Sequence, residues 1–225
     1  MSLLTDTTLQ KIIDRTSSDN ILDDKIRLSP FAEESLTPIG YDLRIGYEYS
    51  VSSRASKYKL KDDEDFKIKP DETAFITTLE KLTMPSNKIY SGLVVSKVSI
   101  TAKGIINDTT TIDPDWSGNL LLVLHNLSKN EITLKQGQQI STIVFLENKE
   151  PSSKSCNKDN NRNALLIDIW NELNNKAKRK EKVKQFISPS IIILSFLIGN
   201  YFFGNTTGLT AFVAIGVALS QFFKK

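Results

Sequence analysis

The chain has 225 residues, 24% of them charged, with a formal net charge of +3, one cysteine and one histidine. One Cys and one His cannot supply a zinc site from its usual ligand sets, which excludes the zinc-dependent base deaminases. Cys156 can make no internal disulfide, and the modest positive excess sits in one run near the C-terminus that lacks the interleaved aromatics of a nucleic-acid groove, so no nucleic-acid partner is expected.

Residues 3–13 have helical spacing, with Leu4, Leu9, Ile12 and Ile13 apolar and Asp6 or Thr7 placed to cap. Residues 1–14 lack the apolar core of a signal peptide. From 26 to 146 the text becomes short apolar or alternating runs, such as 41–45, 74–79, 90–95, 120–124 and 140–146. Pro70, Pro85, Gly104, Pro114 and Gly137 break them. Many short strands at this spacing predict an all-β fold, a barrel or jelly roll, over residues 1–147. Residues 148–163 read as a polar linker. Residues 164–186 turn helical, with Leu166, Ile169, Trp170 and Leu173 on one stripe, and become basic through Lys176, Lys178, Arg179, Lys180, Lys182 and Lys184.

Residues 187–225 are uncharged until Lys224 and Lys225. Turn formers Gly204, Asn205, Thr206, Thr207 and Gly208 divide this stretch into arms 187–203 and 209–223, each at or just below the ~17-residue lower limit for a membrane span. The expectation is a two-helix transmembrane hairpin, with basic flanks holding both the N-terminal domain and the C-terminus in the cytoplasm. A buried helical hairpin in a soluble oligomer and a re-entrant loop are the alternatives. Asn200, Ala214 and Ala218 are the expected contacts for association within lipid, being polar or small.

Three segments in fixed order carry more specific information. They are Thr37-Pro-Ile-Gly-Tyr-Asp-Leu-Arg-Ile-Gly46, then Thr78-Leu-Glu-Lys-Leu-Thr-Met-Pro85, then Thr111-Ile-Asp-Pro-Asp-Trp-Ser-Gly-Asn-Leu120 running on to His125 and Asn126. Together they resemble the dCTP deaminase and dUTPase superfamily, and the Trp116 segment favours the deaminase branch. The resemblance implies a distorted β-barrel that assembles as a homotrimer, or a higher oligomer, with nucleotide pockets between subunits. It also implies candidate ligand contacts at Asp42, Arg44, Lys97, Ser99, Asp113, Asp115 and Trp116. The one cofactor it brings into view is Mg²⁺ accompanying a nucleoside triphosphate.

The same resemblance exposes departures. The glutamate that activates water in the deaminases falls on Val123, whose isopropyl group can neither take nor donate a proton. The family's Gly-Arg-Ser-Ser-Leu-Ala-Arg falls on Ser96-Lys-Val-Ser-Ile-Thr-Ala102, which keeps a charge at Lys97 and a hydroxyl at Ser99 but loses the second arginine at Ala102. Asp113 matches the water-activating aspartate of the dUTPases and Asp42 their phosphate-side aspartate, yet the Arg-Ser-Gly motif and the glycine-rich arm of that branch are absent. Thr142 stands where both branches carry glutamine. His125 shares the face of Val123 and is either a replacement general base or a structural histidine. Trp116 either stacks on a base or packs the strand start.

These features predict a membrane-tethered nucleotide- or signal-sensing effector on a degenerate deaminase-like domain, by analogy with antiviral defence proteins. An active membrane-anchored dCTP deaminase or dUTP diphosphatase, and a structural membrane scaffold, are the alternatives. If the domain is an enzyme, Asp113 and His125 are its candidate catalytic residues.

Overall fold

Alternating apolar and polar residues pair into long antiparallel strands in the computed structural model, which describes residues 1–15, 24–52, 54–156, 162–203, 210 and 213–218. The chain divides into two units, 1–170 and 171–225. The first begins with β1 (Ser2–Leu3), α1 (Asp6–Ile12), β2 (Ile13–Asp14) and β3 (Ile26–Ser29). After a short 3₁₀ turn come β4 (Leu36–Thr37), β5 (Gly40–Val51), β6 (Arg54–Lys59), β7 (Asp65–Ile68), β8 (Thr73–Thr83) and β9 (Tyr90–Ser96). The single-turn helix α2 (Val98–Thr101) leads to β10 (Ile105–Asn107), β11 (Thr110–Ile112), β12 (Ser117–Asn126), β13 (Ile132–Lys135) and β14 (Gln139–Glu147).

The main sheet runs β10-β12-β8-β5-β14-β9-β11, with β1, β2, β3, β4 and β6 attached to it, while β7 and β13 form a separate pair. The period of two is plain on β12, where Leu120, Leu122, Leu124 and Asn126 are buried and Leu121, Val123 and His125 are half-exposed. Tyr41, Leu43 and Ile45 of β5 pack with Ile76, Leu82, Ile143 and Phe145 in the core. The expected closed barrel is not formed. β9 and β10 approach without a ladder between them, and the Ser96 hydroxyl bridges the gap, donating to the Asn107 carbonyl (3.1 Å) and accepting from the Asn107 N–H (3.3 Å). The reason is local, because the chain leaves β9 into α2 directly after Ser96, before the two edges can zip.

At the sheet centre, Glu80 of β8 is fully buried. Arg44 of β5 donates to it twice, from Nε (2.6 Å) and from its backbone N–H (2.9 Å), and the second guanidinium arm reaches the Pro30 carbonyl (2.8 Å). The Thr78 hydroxyl donates to the Glu80 carbonyl (2.8 Å) and accepts from Leu120 N–H (2.9 Å), tying β12 into the same knot.

The polar stretch after β14 is held against the domain as far as Cys156. Asn148 N–H donates to Ile89 O, Ser152 N–H to Lys88 O, and Cys156 N–H to Asp115 Oδ1 (2.7 Å).

Helix α3 (Arg162–Phe203) is continuous through both the expected basic helix and the first apolar arm. In the second unit, residues 213–218 are helical and pack on it, so that a Cβ placed on Gly216 would lie 2.6 Å from Ser195 Cβ. Among the described residues, no helix is long and apolar enough to cross a membrane. This corrects the expected transmembrane hairpin and the two-span membrane localisation with cytoplasmic ends, and it removes the motive for a membrane effector. The physical reason is length, since the uncharged part of α3 begins only at Gln185 and, at ~1.5 Å per residue, rises roughly 28 Å to Phe203, short of a ~30 Å hydrocarbon core. The contact between the two helices uses Gly216, Ser195 and Ile191, whereas Asn200, Ala214 and Ala218 are exposed. The turn at 204–208 and most of the second arm lie outside the described residues.

Burial holds the Glu80 carboxyl above its ordinary range, with the Arg44 contacts opposing the shift. A carboxyl raised in the folded state favours folding at pH below its unfolded value, and that contribution is lost as pH rises through the folded value. Arg44→Ala strands the ionised carboxylate and is expected to cost about 3–5 kcal/mol at neutral pH. Urea unfolding at pH 7 and pH 4.5 checks this, and the loss should be smaller at the lower pH, where Glu80 takes up a proton.

Candidate functional site

The first motif places Asp42 directly opposite Thr142 in the β5–β14 ladder, and Thr142 Oγ1 donates to Asp42 Oδ1 across the pair (2.6 Å). Tyr41, one residue earlier, points into the core and its phenol oxygen accepts from Ala32 N–H (2.9 Å). That bond draws the 3₁₀ turn at Glu33–Ser35 down onto the start of β14, where Gln139 Nε2 donates to Ser35 Oγ and Glu34 O (3.3 Å each). Lys97 leaves the end of β9 toward the same point. Its ammonium pairs with Asp42 Oδ2 and donates to Gln139 Oε1 (3.0 Å).

The structure thus joins two expected ligand residues, Asp42 and Lys97, into one half-buried polar cluster completed by Thr142, Gln139 and Ser35. The last two were invisible to motif reading, because their roles follow from strand register and a turn contact. Ser99, on α2, is exposed beside this cluster in sequence, as are Ala102 and Lys103. Arg44 is engaged with Glu80 and Pro30.

Val123 lies on the half-exposed face of β12, with His125 two residues on. The His125 ring is held at both nitrogens. Nδ1 is 2.9 Å from Thr73 Oγ1, and Nε2 is 3.4 Å from Asp108 Oδ2. Asp108 N–H donates to Val123 O (3.2 Å), and Asn107 beside it is clamped by Ser96, so this face is tied to the Lys97 end of β9.

The third motif sits elsewhere. Asp113 follows β11, whose Ile112 opposes Gly92 on β9, so Asp113 falls near Ser91. Six residues of strand separate Ser91 from Lys97, about 20 Å at ~3.3 Å per residue. Asp113 is exposed, and among the described residues nothing hydrogen-bonds its carboxylate. Asp115 adopts a left-handed backbone (φ 62°) and is engaged by Cys156 N–H, with Lys88 Nζ 3.8 Å from its other oxygen. Trp116 is buried, and Gly118 two residues on has φ 151°, a backbone conformation that side-chain-bearing residues rarely adopt, which is why the turn has glycine there. A separate polar groove of about 290 Å³ opens where β5 and β8 lose register between Ile45 and Tyr49, lined by Tyr47, Glu48, Lys59, Thr77 and Asn119. None of the expected site residues lines it.

Comparison with known proteins agrees with the motifs. The family described as dCTP deaminase-like matches residues 10–148. A dCTP deaminase of Pyrococcus horikoshii is 37% identical over 127 residues, covering 56% of this chain and 79% of the relative. A dUMP-forming dCTP deaminase of Methanosphaera stadtmanae is 26% identical over 174 residues, 68% of this chain and 83% of that protein. The crystal structure of a 2'-deoxycytidine 5'-triphosphate deaminase from Agrobacterium tumefaciens superposes with a TM-score of 0.51 at 15% identity, covering 64% of this chain, so the likeness is one of fold. This chain spans 48% of that one, about half its length.

The engagement of Asp115 by the segment after β14 gives a direct test. Asp115→Ala removes the acceptor of Cys156 N–H and the partner of Lys88, and is expected to raise the rate of proteolytic cutting within 149–156 severalfold with little change in global unfolding. An unchanged digestion pattern would show that Asp115 is dispensable and that the segment is held by its other backbone bonds and by the Ser91–Asn148 and Lys88–Ser155 side-chain contacts.

Proposed function

The chain belongs to the dCTP deaminase-like family, and on that footing we propose that its β domain binds a pyrimidine deoxynucleotide without deaminating it at an ordinary enzymatic rate. The observation that carries this reading is the pairing of Asp42 and Lys97 into a pre-formed polar cluster beside a β12 face that presents Val123. Binding groups are retained there, and position 123 carries no group that can move a proton. Hydrolytic deamination adds water at the cytosine ring and expels ammonia, so a proton must pass from the attacking water toward the leaving amine. A valine cannot carry it, and loss of a general base commonly costs about 10²–10⁴-fold.

Copies of this chain complete the pocket in the proposed assembly. Asp113 and Lys97 stand at opposite ends of β9, so residues of the first and third motifs meet over one ligand only if neighbouring subunits contribute them. A trimer satisfies this requirement. Mg²⁺ fits poorly as a resident ion. Both Asp42 oxygens are engaged, by Lys97 and Thr142, and among the described residues no group of three His, Cys, Asp or Glu side chains could hold a metal.

A working deaminase is the second reading, favoured by the 37% identity to the Pyrococcus horikoshii enzyme and by an imidazole held in place on the Val123 face. In that case His125 replaces the carboxylate as base, or Asp113 of a neighbouring copy does.

Uracil-nucleotide production by the full chain, with deoxycytidine, dCMP and dCTP supplied and binding followed in the same samples, decides between them. We expect binding with turnover at or near background, and Val123→Glu raising turnover by about tenfold or more as the carboxylate is restored. Turnover at ordinary enzymatic rates that His125→Ala or Asp113→Ala abolishes would establish the second reading instead.

A further inference from the structure

In the second unit one side of α3 is apolar and uncovered among the described residues. From Gln185 to Phe203 the helix carries no charged side chain. Its described neighbour is the helical stretch 213–218, met where Gly216 approaches Ile191 and Ser195. At ~100° per residue these two positions and buried Gly199 lie on one side of α3. Ile193, Leu194, Phe196, Leu197 and Tyr201 fall within an arc of about 160° on the other side, and each is between 49% and 84% exposed. For side chains of this size that is on the order of 600 Å² of surface. The largest apolar patch on a monomer is typically about 300–600 Å², and one side of a stable protein interface is about 800 Å². The face therefore approaches the area of an interface, and no described helix is long and apolar enough for a bilayer span to account for it.

One polar residue within the arc points to the occupant. Ile193, Leu197 and Asn200 follow one another at intervals of four and three, the repeat by which two helices wrap together. Asn200 is exposed, and no described residue hydrogen-bonds its carboxamide. Under an apolar partner that carboxamide would lose its water and gain nothing in return. A second Asn200 offers both a donor and an acceptor, which is how a lone asparagine in a helix seam fixes register. An antiparallel overlay of residues 193–201 sets Asn200 against Leu194 instead, so parallel packing in register is the arrangement that satisfies it.

We propose that this arc of α3 packs, parallel and in register, against the same arc of another copy of the chain, with the two Asn200 carboxamides bonded to each other. The proposal concerns the second unit alone and does not rest on the nucleotide reading of the β domain.

Disulfide trapping in the full-length protein tests it, in a Cys156→Ser background so that the introduced thiol is the only one. Ile193→Cys and Leu197→Cys place sulfur in the seam, where parallel copies bring like positions together. Phe202→Cys is the control, since Phe202 is 71% exposed but lies about 160° round the helix from the centre of the arc. Mild oxidation should link both seam variants into dimers at least about fivefold faster than the control, because the bond needs Cβ atoms within about 4.5 Å. Adding Asn200→Lys to the Leu197→Cys variant should slow trapping severalfold, as two ammonium groups then meet in the seam. Trapping at neither seam position, equal trapping at all three positions, or indifference to Asn200→Lys overturns the proposal. So does loss of trapping on adding vesicles of phosphatidylcholine and phosphatidylserine with which the protein floats, because lipid then covers the face.

Discussion

Glu80 is a carboxylate with no access to water, and the sheet is organised around keeping it satisfied. A buried charge survives only if opposite charge and hydrogen bonds surround it. Here Arg44 supplies both from the neighbouring strand, while Thr78 and Asn119 bond the Glu80 and Thr78 carbonyls from β8 and β12. These side chains stand where the ladders lapse, between Ile45 and Tyr49 on one side of β8 and between Asn119 and Leu121 on the other. Gly46 permits the lapse, because a Cβ there would sit 2.7 Å from the Thr77 and Thr78 carbonyl oxygens. The knot therefore replaces missing backbone bonds at the point where three central strands bend.

That bend governs the geometry of the sheet edges. The sheet curls until β9 nears β10, Ser96 bridges them, and the chain turns into α2 with Lys97 over Asp42. Two ion pairs of similar make-up thereby serve different ends. Arg44–Glu80 lies at the centre and holds strands, whereas Lys97–Asp42 lies where the sheet edges meet, partly open to solvent and beside exposed Ser99.

The third motif illustrates how one segment can be read two ways. Its residues match a family site, yet in this chain Trp116 is buried in the core and Asp115 accepts from Cys156 N–H in the segment after β14. Only Asp113 keeps its carboxylate exposed and unengaged among the described residues, and it is the one that a neighbouring copy could use. The backbone donors of this polar stretch find partners on Ile89, Lys88 and Asp115.

Local periodicity made most of the β domain legible. Alternation marks β12 and puts Val123 and His125 on one face, and turn formers mark Asp113–Pro114–Asp115, because both signals depend on neighbours along the chain. The motifs likewise pointed to the family. Who pairs with whom was decided only in three dimensions. Arg44 and Glu80 are 36 residues apart, Lys97 and Asp42 are 55 apart, and Asp115 meets a backbone group 41 residues on. Such pairings depend on register and curl, which no short window contains, and they determine whether a charged residue is free for a ligand. The tail makes the same point from the other direction. Absence of charge is written in the sequence, but crossing a bilayer requires one helix with enough apolar rise, and that is a property of the folded segment.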